Sequence, residues 1–434
     1  MKRIAIIGSG TGLFLARLLH NHGFDVTVYE AADRLGGHIN TLKFPDGRIV
    51  EGGAEFLNPT YTCFFKLIEI LGLKLNKFTA TMEFTDLQNN TFLFTPCIND
   101  IFSKIAAYDK NKSFIENLEN DINELAYLKK LYSIIFKFKQ QEDKLTRNPI
   151  FLKDWITQID EQDFAEKFIY PVLSSFYGVT SEQAKTKMTH YAMTYLITGS
   201  DCYEVRGGLS QYIDALKTHL DNINCTIKLS TKVQKITKVS DNKFLVKTEK
   251  GEDEYDNVAI CVSAEAAKEI LDENSCETSG LINIFSNVLY YDTVLSFNDN
   301  NSEEYCKKVV VHIKQTNEGA KTTATKSWNS NISKQWVTEA TIPENNLAIV
   351  RYRHPMMNDK YYLAQEIMKA HNLKNNGLYF GSIMAGMNDS HESGIRASLN
   401  IARLLFKKYN FKTPKILKSF DSLDTGSEKM CCCF

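Results

Sequence analysis

Directly behind the apolar run Ile4-Ala5-Ile6-Ile7 stand Gly8, Gly10 and Gly12, separated by Ser9 and Thr11. Glycines let a backbone pass close to a pyrophosphate, and the unpaired N–H groups of a helix N-terminus hold its charge. Leu13 to Leu19 follows with helical periodicity, and Phe24 to Tyr29 reads as a second strand that runs into Glu30. Glu30 lies about 20 residues beyond the glycines, where an acid accepts hydrogen bonds from a ribose 2′-OH. Strand, glycine turn, helix, strand and acid in this order predict a βαβ dinucleotide site. The spacing departs from G-x-G-x-x-G. Leu13 falls where the third glycine belongs, and aligning the helix on Gly12 makes the loop one residue short. A tightened turn and a different hold on the phosphates both remain open.

Glu30 continues into Ala31-Ala32-Asp33-Arg34-Leu35-Gly36-Gly37-His38-Ile39-Asn40-Thr41. Arg34 and the paired glycines bring charge and bare backbone to the same pyrophosphate. Gly47 to Phe56 reads as a strand and a small-residue loop, Gly52-Gly53-Ala54-Glu55-Phe56. At these residues the chain resembles the flavin-containing amine oxidoreductase superfamily. Its members carry E-x-x-x-R-x-G-G-R/H-x-x-T and then a D/E-x-G-x-x-F loop beside the flavin. The His38 form is similar to a bacterial-type subgroup of NAD/FAD-binding proteins.

The resemblance implies FAD as cofactor. It places Gly8, Gly10, Thr11, Gly12, Glu30, Arg34, Gly36, Gly37, His38, Gly53, Ala54, Glu55 and Phe56 around it. Gly207-Gly208-Leu209 resembles the element where the chain re-enters the FAD domain, and Val233 the residue that offers its backbone to the adenine. The segment from Gly377 to Gly386, followed by His391-Glu392-Ser393-Gly394-Ile395, is similar to the family's closing block. It implies contacts from Gly381, Ser382, His391, Glu392 and Ile395, and a helix dipole that stabilises negative charge on the reduced flavin. Ser327-Trp328-Asn329 and His354-Pro355 look like subgroup elements. Two departures face the expected substrate region: Met387-Asn388-Asp389-Ser390 replaces an aromatic-glycine stretch, and Ser296 stands where relatives place a histidine. No catalytic base is named; His391 and Glu392 are the candidates nearest the ring.

The elements that must position these residues follow from the pattern of the chain. Its 434 residues are enough for two domains, and 43% hydrophobic with 24% charged residues is the composition of a soluble globular protein. A net charge of −1 gives no electrostatic case for nucleic acid. No apolar run reaches the ~18 residues of a membrane span, and the N-terminus opens straight into a strand without a secretory h-region. The scattered cysteines lack metal-ligand spacing, so no metal site is expected and the reducing cytoplasm is the expected compartment.

The expected fold class is α/β, a Rossmann-like, glutathione-reductase-like FAD-binding domain with a discontinuous α+β substrate domain. The FAD domain is expected in three parts, 1–84, 201–265 and 376–411. The substrate domain takes 85–200 as its helical part and 266–375, with strands at 309–313, 336–340 and 347–353, as its mixed sheet. Residues 412–434, largely polar and without periodicity, read as a flexible tail. It ends Cys431-Cys432-Cys433-Phe434, with Cys431 at a C-a-a-X position. Lipidation there, with peripheral membrane association, is one reading; exposed thiols are the other.

The expected activity is hydride transfer from a substrate C–H bond to flavin N5, the substrate being an amine or a hydrophobic, lipid-like molecule. The alternative is an FAD-fold scaffold without catalysis, membrane-anchored through the terminal cysteines. A dehydrogenase linked to NAD(P) needs a second glycine-rich βαβ unit, and the sequence has none. The sequence does not fix an oligomeric state.

Overall fold

A computed structural model describes residues 1–79, 81–89, 91–94, 114–197, 201–240, 243–274, 276–299, 309–317, 319–325 and 331–423. Ser327-Trp328-Asn329 and Cys431 lie outside the described residues.

The opening strand, Lys2–Ile7, lies in the middle of a five-stranded parallel sheet. Its spatial order is Leu378–Phe380, Asn257–Ile260, Lys2–Ile7, Phe24–Tyr29 and Thr226–Lys228. Ile4, Ala5 and Ile6 are fully buried because both faces of the sheet are covered, which is why the run is apolar without alternation. Ile4 and Ile6 pack against the helices Gly12–Leu19, Thr62–Ile70, Ser210–Asn222 and His391–Lys408. Ala5 and Ile7 face the other way, into a core that includes Phe244, Val246 and Tyr255 of an antiparallel three-stranded meander. The sheet thus gathers strands from sequence regions more than 350 residues apart.

A second sheet has seven strands in the order Ala348–Pro355, Tyr290–Asp299, Ile332–Val337, Ala320–Thr325, Val309–Gln315, Thr81–Thr85 and Thr91–Phe94. Val309–Gln315 runs parallel to Thr81–Thr85, and the other neighbours are antiparallel. Helices between Phe114 and Ile197 join its core through Leu131, Phe138, Trp155, Phe168 and Tyr191. Leu295 and Phe297 pack against Val50 of the small hairpin Thr41–Lys43/Ile49–Glu51, so this face of the sheet looks toward the FAD-type domain. Among the described residues no helix is long and apolar enough to cross a membrane.

Two expectations are corrected. The strand expected at 336–340 spans Ile332–Val337, because Glu339–Thr341 turns into a 3-10 helix closed by the Thr338 and Thr341 hydroxyls. The flexible tail expected from residue 412 is ordered as far as Leu423. Lys415–Lys418 forms a helical turn, and Leu417 and Phe420 are fully buried, Phe420 edge-on to Phe14 at 5.6 Å. Two apolar side chains suffice to dock a polar segment when their groove is supplied by distant helices.

Candidate cofactor and substrate site

The opening strand ends at Ile7, and the first helix starts at Gly12. Four residues therefore make the whole turn. Gly8 has φ +99°, and a Cβ there would sit 2.7 Å from the Cys261 carbonyl oxygen. A Cβ on Gly12 would lie 2.9 Å from Ile6 Cγ2. Close helix–strand packing is the task of the third glycine in the longer motif, and Gly12 performs it one residue early. The short loop is thus a tightened turn. Helix N–H groups at its head have no intrahelical acceptor. Beside them Thr11 Oγ1 is buried and has no hydrogen-bond partner among the described residues.

Ser9 ties this turn to the next motif. Its hydroxyl donates to Glu30 Oε2 at 2.5 Å and accepts from the Gly36 N–H at 3.0 Å. The Ser9 N–H also donates to Oε2 (3.0 Å) and the Ala32 N–H to Oε1 (2.9 Å). A carboxylate offers about four lone-pair directions, so Glu30 keeps capacity for a ribose hydroxyl. Arg34 curls back on its own loop, donating to the carbonyls of Gly37 (2.8 Å) and Ile39 (3.1 Å), and so holds the Gly36-Gly37-His38 backbone in shape. Val233 opens its strand against Thr248, and the ladder slips immediately after it, which loosens the backbone pairing at that point.

The small-residue loop lies against the same backbone. A Cβ on Gly53 would overlap the His38 carbonyl oxygen. Ala54 is exposed beside it, and Phe56 leans edge-on against Phe78. Lys334 Nζ reaches across from the seven-stranded sheet to the Gly53 carbonyl (3.0 Å) and the Glu55 carboxylate (3.2 Å). Lys334 and Glu55 are both nearly buried, so the pair pins the loop to the sheet.

The closing helix completes the enclosure. Gly394 lies directly on Thr11, and Ser398 Oγ donates to the Thr11 carbonyl at 3.2 Å. Gly381 lies against Cys261, and Ser382 sits in the left-handed region at φ +57°, a strain typical of functional loops. Ile395 is fully buried in the helical core. The two residues singled out as candidates nearest the ring have other partners. Glu392 accepts from the Cys63 and Phe64 N–H groups (3.0 and 2.8 Å) at the head of helix Thr62–Ile70, and from Arg396 Nε (2.8 Å). His391 Nε2 lies 2.5 Å from the Tyr212 hydroxyl, edge-on to Phe64. Burial pushes its pKa down to about 4. Ser296 is fully buried and points to the sheet face opposite Leu295 and Phe297.

Between the two sheets runs a set of polar and aromatic side chains that sequence reading largely missed. His38 contacts Tyr352 (ring centroids 4.9 Å), and Tyr291 contacts His354 (5.4 Å). His38 is reached by solvent yet has protein packed around it. Burial, then His354 and Arg34, push its pKa down to about 4. His354 is also held low by burial, against the pull of Asp389, whose Oδ2 lies 3.5 Å from Nε2. Tyr61 and Tyr291 are pushed above the ordinary phenol range, first by burial and then by Asp389. His38, in the paired-glycine motif, and His354, before Pro355, carried a signal in the sequence; the tyrosines converge from separate elements.

An orphaned buried hydroxyl at a helix head, a glycine turn drawn tight against the neighbouring strands, and an acid with acceptor capacity fit the pyrophosphate and ribose of FAD.

A family model described as flavin containing amine oxidoreductase matches residues 11–293. Amine oxidase [flavin-containing] B of Canis lupus familiaris is 28% identical over 110 residues, covering 25% of this chain and 21% of the relative. The chain therefore aligns with about a fifth of that relative's length. Among solved structures, putrescine oxidase bound to putrescine superposes with TM-score 0.65 at 13% identity, covering 94% of this chain and 99% of that one. A fatty acid isomerase from P. acnes superposes with TM-score 0.66 at 13% identity, covering 94% and 98%. These likenesses show the fold.

Proposed function

The chain belongs to the flavin-containing amine oxidoreductase family, and from that premise we propose that it is an FAD-dependent oxidoreductase acting on an amine or a hydrophobic, lipid-like molecule. When bound, FAD supplies the acceptor for a hydride leaving a substrate C–H bond, with O₂ or a carrier taking the electrons onward. The chain's own residues bind and orient. Thr11 and the first turn of its helix hold phosphate oxygens, Glu30 the ribose, and the Gly53 loop, braced by Lys334, gives a flat edge for a ring system. The crevice formed by His38, Tyr61, Tyr291, Tyr352 and His354 receives the substrate. His38, with its pKa pushed down to about 4, is neutral at pH 7 and adds no cation to that wall.

The observation that carries this reading is Thr11 Oγ1, a buried hydroxyl left without a hydrogen-bond partner among the described residues at the head of the opening helix. The test is anaerobic mixing of the FAD-loaded protein with primary amines, polyamines, fatty acids and isoprenoid alcohols. Bleaching of the flavin band by one class supports an oxidoreductase of that class. A protein that holds FAD but is bleached by none supports the scaffold alternative.

A further inference from the structure

Lys187 belongs to none of the motifs described above. It sits between the short helices Ser181–Lys185 and Thr189–Ile197, its N–H bonded to the Ala184 carbonyl (3.2 Å) and its carbonyl to the Leu152 N–H (2.8 Å). The residue is 0% exposed. Its ammonium lies 3.6 Å from the centroid of the Tyr177 ring, and no described oxygen or nitrogen is within hydrogen-bond distance of Nζ. The charge that opposes its burial is Asp389, at the head of the closing helix, whose side chain is 3% exposed. The same carboxylate acts on Tyr61, Tyr177, Tyr191, Tyr291 and Tyr361. Tyr291 donates its hydroxyl to the Tyr177 carbonyl at 2.6 Å and lies 5.4 Å from His354, centroid to centroid, so this box adjoins the residues assigned above to the substrate.

Aromatic faces around a shielded carboxylate are the chemistry that recognises an organic ammonium. Here the ammonium comes from the chain itself. We propose that Lys187 is a specificity-determining residue that fills the cation-recognising end of the substrate crevice, so that the natural substrate presents no ammonium group there. The proposal rests on the oxidoreductase reading above and narrows it, from an amine or lipid-like molecule to a neutral or anionic lipid-like one. A second cation beside Lys187 meets repulsion in a poorly screened interior and finds the Tyr177 face already covered.

The test measures melting temperature and visible spectrum of the FAD-loaded wild type and of Lys187→Ala with n-butylammonium and benzylammonium chloride, against sodium chloride at equal ionic strength. In the wild type neither ammonium produces a saturable change. In Lys187→Ala, which opens the box, n-butylammonium raises the melting temperature saturably, at concentrations roughly tenfold or more below any effect on wild type. Lys187→Val is the second variant, should the alanine protein not fold. Saturable binding of either amine to the wild type overturns the proposal, as does indifference of the opened variant. A colourless protein that takes up no FAD defeats the oxidoreductase reading separately, because the melting arm needs only protein.

Discussion

Thr11 Oγ1 and Lys187 Nζ are both buried without a hydrogen-bond partner among the described residues, but their deficits differ in kind. A hydroxyl at a helix head is completed by an incoming phosphate oxygen. Thr11→Val keeps the shape of the side chain and removes a group the protein itself does not pair. The apoprotein should therefore stay within about 0.5 kcal/mol of wild type. FAD binding, followed by quenching of flavin fluorescence, should weaken roughly tenfold, the worth of one bond to a charged group. Lys187 carries a charge, and its burial has a definite sign. Its pKa is lowered from 10.5 to about 8 by desolvation, partly offset by Asp389. The unfolded chain keeps this proton up to about pH 10.5, whereas the folded chain releases it near pH 8. The cost is therefore complete below pH 8 and fades as pH rises toward 10.5. Lys187→Met should raise unfolding stability at pH 7 by up to about 3 kcal/mol. Urea melts at pH 7 and pH 10 check this; a variant less stable than wild type at pH 7 contradicts it.

Two helix heads show how far local sequence reaches. The opening turn was legible because strand, glycines, helix and acid lie within thirty residues, and even its departure from spacing resolved into Gly12 packing on Ile6. The closing helix was legible as an element, but the partners of its first residues were not. Glu392 reads from sequence as a cofactor contact and one of the candidates nearest the ring. In the fold it caps a different helix, 328 and 329 positions away, while Arg396 bridges it to Thr62. Such a contact has no periodicity to announce it. Glu392→Gln should destabilise the protein by about 2 kcal/mol, since two helix-head N–H groups lose a charged acceptor and Arg396 loses its counter-ion. The loss should be independent of added FAD, as judged by melts with and without it. A loss that saturating FAD abolishes contradicts the capping role.

At the scale of the whole molecule, one parallel sheet is assembled from strands at both ends and in the middle of the chain. The substrate crevice proposed between the two sheets needs that assembly to be complete. This is why its tyrosines and Lys334 carried so little signal: each is ordinary on its own strand or loop and gains its role from neighbours more than 100 residues distant. The same logic extends to the last described residues. Phe420 closes the groove beside Phe14, on the helix whose head carries Thr11. Phe420→Ala should cost about 3–5 kcal/mol in urea unfolding, and a loss under 1 kcal/mol would mean that this segment is not docked in solution.

The central claim is that these separated segments jointly grip FAD. Its most direct measurement is the FAD content of the purified protein: visible spectrum, then denaturation and mass analysis of whatever is released. The purified protein should be yellow and release one FAD per chain, with uptake restored when the apoprotein is mixed with FAD. A colourless protein that acquires no flavin absorbance from a saturating FAD solution contradicts it.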